Sequence, residues 1–282
     1  TPLYSSAASD VYKRQVYDRS ISKAINLLND LGHELPPRKY QDAQTISEQA
    51  VALGKNVITV GPGEYADSGF TQATMPAAKY LAAKTIEERF EIARSEIAKP
   101  GSLVYLYVPE LDQIAHRFGS QSQNWLNTIE SLDSTLLSFT KSLPKGAGAI
   151  LTADHGVIDV AQTSHVYLED FESLEDLLMI GGDPRVAFLY FELGTDLVTK
   201  RQNIESEIGA QVDVATVQEL VESGWYQPLT EAASRVAPDL VLLPKGNRVV
   251  YHRGFAKVKS LAMIGQHGGM SKAEWEIPLL VF

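Results

Sequence analysis

The sequence contains no cysteine, which excludes disulfides and thiolate metal sites. Any transition-metal site must therefore use His, Asp and Glu side chains. The chain also lacks an apolar run of about 20 residues, the length that a helix needs to cross a bilayer. It has no basic start followed by an apolar stretch and a small-residue cleavage site. A chain without cysteine is compatible with the cytoplasm, which is the location we expect.

The sequence has fewer basic than acidic residues. Twenty-five Lys and Arg residues stand against 35 Asp and Glu residues, and the formal net charge is −10. Because phosphate backbones are held mainly by Lys and Arg, we expect no nucleic-acid-binding surface. A small phosphorylated substrate stays compatible with this charge, since a metal ion supplies positive charge locally.

The beginning of the chain is unusual. The run from Ser5 to Gln15 resembles the translation of sequencing-adaptor DNA joined to an assembled read. We therefore interpret residues 1–15 as a non-native leader and leave them out of fold reasoning. A polar native tail is the alternative.

Apolar periodicity in the remaining sequence predicts helices that alternate with short strands. Strands are predicted at 56–60, 103–108, 149–152, 186–191, 240–243 and 277–282. Helices are predicted at 20–31, 45–53, 87–98, 125–139 and 196–208. This alternation indicates an α/β domain with a largely parallel sheet, in which ligands gather outside the carboxyl ends of the strands.

The first candidate site segment follows the 103–108 strand and contains Asp112 and His116. Four residues apart on a helical turn, a carboxylate and an imidazole project from one face and can chelate one zinc ion. A solvated surface pair is the alternative interpretation.

The second segment is Asp154-His155-Gly156, at the end of the 149–152 strand. Gly156 permits the turn that would direct both side chains to one place. A polar turn with His155 bonded to a backbone carbonyl is the alternative. The third segment is Gly265-Gln266-His267-Gly268-Gly269, whose glycines allow a close approach to a site or form a flexible loop tip.

Together these segments resemble the type I phosphodiesterase and nucleotide-pyrophosphatase branch of the alkaline phosphatase superfamily. The resemblance covers about Val16 to Phe282. It implies an alkaline-phosphatase-like three-layer αβα sandwich with a largely parallel central sheet. It also implies that residues 16–282 form the C-terminal portion of a single catalytic domain.

The resemblance implies two divalent metal ions, for which we expect zinc. Asp112, His116 and His267 would hold one ion, and Asp154 and His155 the other, with a further Asp and a Thr or Ser nucleophile. We find no segment that matches this nucleophile; the family order places it upstream, so we expect the chain itself to be inactive. The implied reaction is hydrolysis of phosphodiester or pyrophosphate bonds through a Thr or Ser phosphoenzyme, on a small phosphorylated substrate such as a nucleotide.

Other functions fit the same ligands. Related sulfatases, phosphomutases and phosphoethanolamine transferases share such a metal site, and a non-catalytic family member would keep the fold for binding. Nitrogen and oxygen donors suit zinc and leave manganese and iron open.

Overall fold

A computed structural model describes residues 15–26, 36–40 and 43–282. Contacts divide the chain into two compact units. Unit 1 contains the described residues of Thr1–Asn26, Asp112–Trp125 and Ala153–Ile277, and unit 2 those of Leu27–Leu111, Leu126–Thr152 and Pro278–Phe282. Of the proposed leader, only residue 15 lies within the described ranges. The assignment of 16–282 to a single domain stays a prediction. Among the described helices, none combines the length and apolar character needed to span a membrane.

The strands of the described residues are, in chain order, β1 (Gln15–Asp18), β2 (Lys23–Asn26), β3 (Asn56–Gly61), β4 (Lys79–Ala82), β5 (Ser102–Leu106), β6 (Ile150–Thr152), β7 (Ile158–Asp159), β8 (His165–Tyr167), β9 (Met179–Asp183), β10 (Val186–Tyr190), β11 (Val212–Ala215), β12 (Leu240–Pro244), β13 (Val249–Tyr251), β14 (Gly265–Gln266) and β15 (Leu279–Val281).

The α-helices in the same ranges are α1 (Pro37–Tyr40), α2 (Ile46–Ala52), α3 (Gly69–Thr74), α4 (Ile86–Ile97), α5 (Glu110–Phe118), α6 (Gln123–Lys141), α7 (Leu197–Ile208), α8 (Val217–Glu222), α9 (Glu231–Arg235), α10 (Val258–Leu261) and α11 (Lys272–Trp275).

Several helices begin where the sequence places a capping residue. Helices α2, α4 and α8 each start after a Thr whose hydroxyl and backbone bond reciprocally with a Glu three residues later. This capping box satisfies amide groups that have no partner inside the helix. The Asp196 side chain accepts from the first turn of α7 in the same way. The starts predicted for α2, α4 and α7 therefore agree with the structure to within one residue.

Unit 1 is built on a six-stranded sheet of order β11-β12-β10-β9-β1-β2. Its pairs are antiparallel. Alternate residues of each strand point to opposite faces of the sheet. Apolar residues are buried on both faces. Leu189 packs with Ile204 and Ile208 of α7 on one face. On the other face, Phe188 lies in a second cluster with Leu220 of α8.

The helix predicted at 20–31 is wrong over its described part. Residues 23–26 form β2, in which Ile25 pairs with Val16 of β1 and is buried. The turn before it contains Ser22 with a φ of 51°. Pairing with β1 buries Ile25 in a sheet, and this tertiary contact overrides the helical spacing of its apolar residues. Residues 27–31 lie outside the described ranges.

Unit 2 contains a three-stranded parallel sheet of order β4-β3-β5. Helices α4 and α6 pack on it: Phe90 and Phe139 meet edge to face with ring centroids 5.3 Å apart, beside Val104 of β5. Strand β6 pairs antiparallel with β15. Parallel strands connected through helices confirm the predicted α/β class. The parallel pairing belongs to the smaller of the two main sheets, since the six-stranded sheet is antiparallel.

Candidate metal centre

The five predicted ligands lie on three segments of unit 1. Asp112 and His116 belong to α5, one helical turn apart. Asp154 and His155 come just after β6, and His267 comes directly after β14. Antiparallel pairing of β14 with β7 fixes the position of the His267 segment, because Gly265 pairs with Asp159.

The Asp112 carboxylate lies close to the imidazoles of all three histidines in the predicted ligand set. Its Oδ1 lies 3.1 Å from Nε2 of His116. The same oxygen lies 3.8 Å from Nε2 of His267 and 4.0 Å from Nε2 of His155. Two ligands of one zinc ion are separated by at most about 4.3 Å, because each bond is about 2.0–2.2 Å long. All three separations satisfy this limit.

Two of the histidines are held in one tautomer by backbone carbonyls. Nδ1 of His116 donates to the carbonyl oxygen of Gly265 at 2.7 Å, and Nδ1 of His155 donates to that of Gly156 at 2.8 Å. A neutral imidazole with its proton on Nδ1 has a lone pair on Nε2, and metal-binding histidines are usually oriented in this way. The carbonyl contact considered as an alternative for His155 is therefore present, and it leaves Nε2 available.

The rings of His155 and His267 stack, with centroids 3.6 Å apart and an angle of 15° between their planes. Within the described residues, Nε2 of His155 is buried and makes no hydrogen bond. A buried polar nitrogen of this kind is costly to leave without a partner. It is an observation that a bound ion would explain.

The Asp112 and His116 side chains do not form a solvated surface pair. His116 and His267 are both buried, and Asp112 is largely so. Asp154 is the most open of the five, with 40 % of its side chain exposed and its Oδ1 3.7 Å from Nε2 of His155.

Three of the five predicted ligands form a group in which every pair of ligand atoms is close. One potential ligand atom from each of Asp112, His155 and His267 lies within 4.8 Å of the other two. His155, which the resemblance assigns to a different ion from Asp112 and His267, thus lies close to both. His116 and Asp154 each approach one member of this group: Nε2 of His116 lies 3.1 Å from Oδ1 of Asp112, and Oδ1 of Asp154 lies 3.7 Å from Nε2 of His155. The assignment of all five as ligands, and their division between two ions, stays a prediction.

The glycines near these side chains are required by close packing. A Cβ on Gly265 would lie 2.5 Å from the carbonyl oxygen of Ala115 in α5, and one on Gly156 would lie 2.0 Å from that of Ala273. Gly156 does not have a positive φ, so close approach rather than an unusual turn explains it. Gly268 does need glycine's freedom, with a φ of 100°.

The donor set fits a divalent metal ion. It consists of imidazole nitrogens and carboxylate oxygens, it is mostly buried, and two of its three histidines are oriented by backbone carbonyls, as zinc ligands are. Zinc, manganese and iron all accept such donors.

A sequence profile of one family matches most of the chain. The profile describes type I phosphodiesterase / nucleotide pyrophosphatase and matches residues 10–270. The chain belongs to this family. Membership of the type I phosphodiesterase / nucleotide pyrophosphatase family supports a phosphodiesterase or pyrophosphatase hydrolase activity. A search of curated protein sequences finds no match.

Solved structures share the fold at low sequence identity. Murine ectonucleotide pyrophosphatase / phosphodiesterase 5, in an inactive form with AMP, is 18% identical with a TM-score of 0.71, over 95% of this chain and 70% of its own. The human protein of the same name is 16% identical over the same shares, with a TM-score of 0.71. Phosphonoacetate hydrolase from Sinorhizobium meliloti 1021, with phosphonoformate, is 15% identical with a TM-score of 0.66, over 96% of this chain and 74% of its own. These similarities confirm the predicted alkaline-phosphatase-like α/β fold.

Two residues that pack beside the candidate metal centre were not identified from the sequence. Arg185, in the turn between β9 and β10, and Glu274, in α11, form a buried ion pair beside the His267 segment. The Ser271-x-x-Glu274 pattern is a capping-box signal that could have indicated Glu274. No comparable signal marks Arg185.

Proposed function

We propose that the protein is a hydrolase of phosphodiester or pyrophosphate bonds that depends on two divalent metal ions, with zinc as the expected metal. The observation that carries this proposal is the convergence of the Asp112 carboxylate with the Nε2 atoms of His116, His155 and His267. Family membership supplies the reaction class, and the donor set supports the metal dependence.

The chain's own residues would act by holding the ions and excluding water. The Gly265 and Gly156 carbonyls accept from Nδ1 of His116 and His155, so that in the neutral imidazoles the lone pair available to a metal ion lies on Nε2. Asp112 would contribute negative charge among the imidazoles. When bound, the ions would lower the pKa of a hydroxyl nucleophile and neutralise the charge of phosphate oxygens.

The nucleophile forms a second part of the proposal. Since no segment of this sequence matches the family's nucleophile motif, we place the Thr or Ser that would form the phosphoenzyme, and a further Asp ligand, outside this chain. The 282-residue chain would then bind metal without turnover.

For the substrate, we propose a small phosphorylated molecule such as a nucleotide. The murine relative was solved with AMP and the Sinorhizobium meliloti relative with phosphonoformate. Both ligands are small and anionic, and a metal centre provides the positive charge that a chain of net charge −10 needs to bind them. The expected cytoplasmic location stays a prediction.

Turnover of bis(p-nitrophenyl) phosphate tests this function. A protein expressed from the complete native gene, including any codons upstream of Val16, should hydrolyse this diester with zinc. A chelator should abolish the activity. The present chain should show no turnover. Zinc-dependent turnover by this chain alone would contradict the placement of the nucleophile. Hydrolysis of p-nitrophenyl sulfate in place of the diester would instead favour a sulfatase.

A further inference from the structure

Glu274 is a buried carboxylate next to the candidate metal centre. Its Oε1 accepts from the backbone amide of Gly269 at 2.8 Å and from Nε of Arg185 at 2.9 Å. Its Oε2 accepts from Nη2 of Arg185 at 2.6 Å and from the Ser271 hydroxyl at 2.5 Å. Through Gly269, the carboxylate therefore holds the loop that carries His267, two residues away.

The backbone of the same residue holds a second segment of the centre. The Glu274 carbonyl oxygen accepts from the amide of Gly156 at 2.7 Å. Gly156 follows His155 and accepts the hydrogen bond from its Nδ1. One residue thus contacts the chain on both sides of the stacked pair of imidazoles, His155 and His267, whose centroids are 3.6 Å apart.

Arg185 fixes Glu274 in turn. Both side chains are 1% exposed. Nη1 of Arg185 donates to the carbonyl oxygens of Gly246 and Arg248, so the guanidinium is bonded on both edges. Burial tends to raise the pKa of Glu274. Hydrogen bonds from Arg185 and Ser271 and the Arg185 charge outweigh that effect, and the pKa is lowered.

A buried ion pair of this kind adds little net stability to a fold, because both charges must leave water. Removing two charges from water is unfavourable, and apolar pairs of similar volume often stabilise a fold equally well. The contact with Gly269 gives the pair a function that an apolar pair lacks, because Arg185 fixes the carboxylate oxygen that accepts from this backbone amide.

We propose that Glu274, held by Arg185, is a positioning residue that sets the His155 and His267 imidazoles relative to each other for metal binding. This inference rests on the proposed function, since it concerns the same metal centre. It goes beyond that function in naming the device that joins the two histidine segments. Loss of the Glu274 carboxylate would displace the His267 loop while the centre keeps every ligand.

The test compares zinc affinity in four folded proteins: the full chain, Glu274→Ala, Glu274→Gln and the control Asp239→Asn. Asp239 also pairs with an arginine, Arg19, in unit 1, and it accepts from the amide of Phe191. The zinc dissociation constant is measured by competition with a chromophoric chelator, at a temperature where circular dichroism shows each protein to be fully folded.

We expect Glu274→Ala to weaken zinc binding about tenfold or more, as loss of groups that orient metal ligands does. Glu274→Gln should lower the melting temperature, because it leaves Arg185 without its counter-charge. Its amide oxygen can still accept from Gly269, so its zinc affinity should stay within about threefold of the unaltered chain. The control should lose thermal stability and keep its zinc affinity.

Equal zinc affinity in Glu274→Ala and the unaltered chain would overturn the positioning role and leave the proposed function intact. An affinity that falls equally in Glu274→Ala, Glu274→Gln and Asp239→Asn would also overturn it, since it would then follow stability alone. If the unaltered chain binds no zinc, the proposed function fails as well. Should Glu274→Ala not fold, Glu274→Asp replaces it. That variant keeps the charge for Arg185 but is too short to reach Gly269, and unchanged affinity there would equally overturn the inference.

Discussion

The carbonyl oxygen of Gly265 accepts a hydrogen bond from Nδ1 of His116 at 2.7 Å, although the two residues are 149 positions apart. The backbone carbonyl of His116 in turn accepts from the amide of Ile264 at 2.8 Å. The start of β14 therefore lies directly against α5, and Gly265 orients the imidazole that contacts Asp112. This approach is possible because residue 265 has no side chain.

Gly265→Ala should therefore destabilise the protein and weaken metal binding together. The added Cβ would lie 2.5 Å from the Ala115 carbonyl oxygen, and backbone cannot yield as a flexible side chain can. We expect a loss of about 1–3 kcal/mol in the free energy of unfolding, measured with urea. Gly63→Ala is the matched control, because its Cβ would meet only an ordinary contact at 3.6 Å. Equal effects of the two substitutions would contradict the close approach of β14 to α5.

Arg89 in α4 contacts the chain just after β5 and the first residue of α5, all within unit 2. It is fully buried, donates to the carbonyl oxygens of Thr85 and Tyr107, and pairs with Glu110. Arg89→Ala should lower the free energy of unfolding by about 2–3 kcal/mol, since it leaves these acceptors without a donor. Arg94→Ala on the same helix removes a more exposed pair with Glu91 and should cost about 0.5 kcal/mol or less. Urea unfolding of both variants measures the difference, and equal losses would contradict this account of Arg89.

His165 makes stability depend on pH. Burial lowers its pKa from the ordinary value of 6.5, and its ring lies 5.1 Å from that of Tyr251. The unfolded chain therefore takes up a proton at higher pH than the folded chain. The stability contributed by neutral His165 is complete above pH 6.5 and is lost as the pH falls from there toward the folded-state pKa. His165→Gln should lose less stability than the unaltered chain between about pH 7.5 and 5.5 in metal-free urea titrations. The same loss in both proteins would show that His165 does not titrate in this window.

The local elements were predictable where sequence signals and tertiary contacts agree. Thr85 marks the start of α4 through its capping box, and Leu132, Leu136 and Phe139 lie in the core on α6 as their spacing predicts. The spacing of Ile25 from its apolar neighbours fits a helix, yet pairing with Val16 places it in a strand. Tertiary pairing of this kind limits what local sequence can predict. No local signal reveals a partner in another segment.

The same distinction between local sequence signals and tertiary contacts applies to the candidate site. Asp112, His155 and His267 were identifiable because ligand residue types stand beside strand ends and glycines, and the structure brings them together. Arg185 and Glu274 lie 89 positions apart and meet only through the fold. The reason for Gly156 was likewise hidden, since the backbone of Ala273 that excludes a side chain there lies far along the chain.

Zinc binding by His267→Ala tests the central claim most directly. The unaltered chain, the His267→Ala variant and a His252→Ala control are dialysed against zinc, and the bound metal is counted by mass spectrometry. His252 is a suitable control because its Nδ1 accepts from the nearby amide of Gly254 and it is not a member of the group formed by Asp112, His155 and His267. We expect the unaltered chain and the control to retain zinc tightly and His267→Ala to lose it while staying folded. Equal zinc content in all three proteins would contradict the assignment of His267, and with it the metal centre proposed around Asp112.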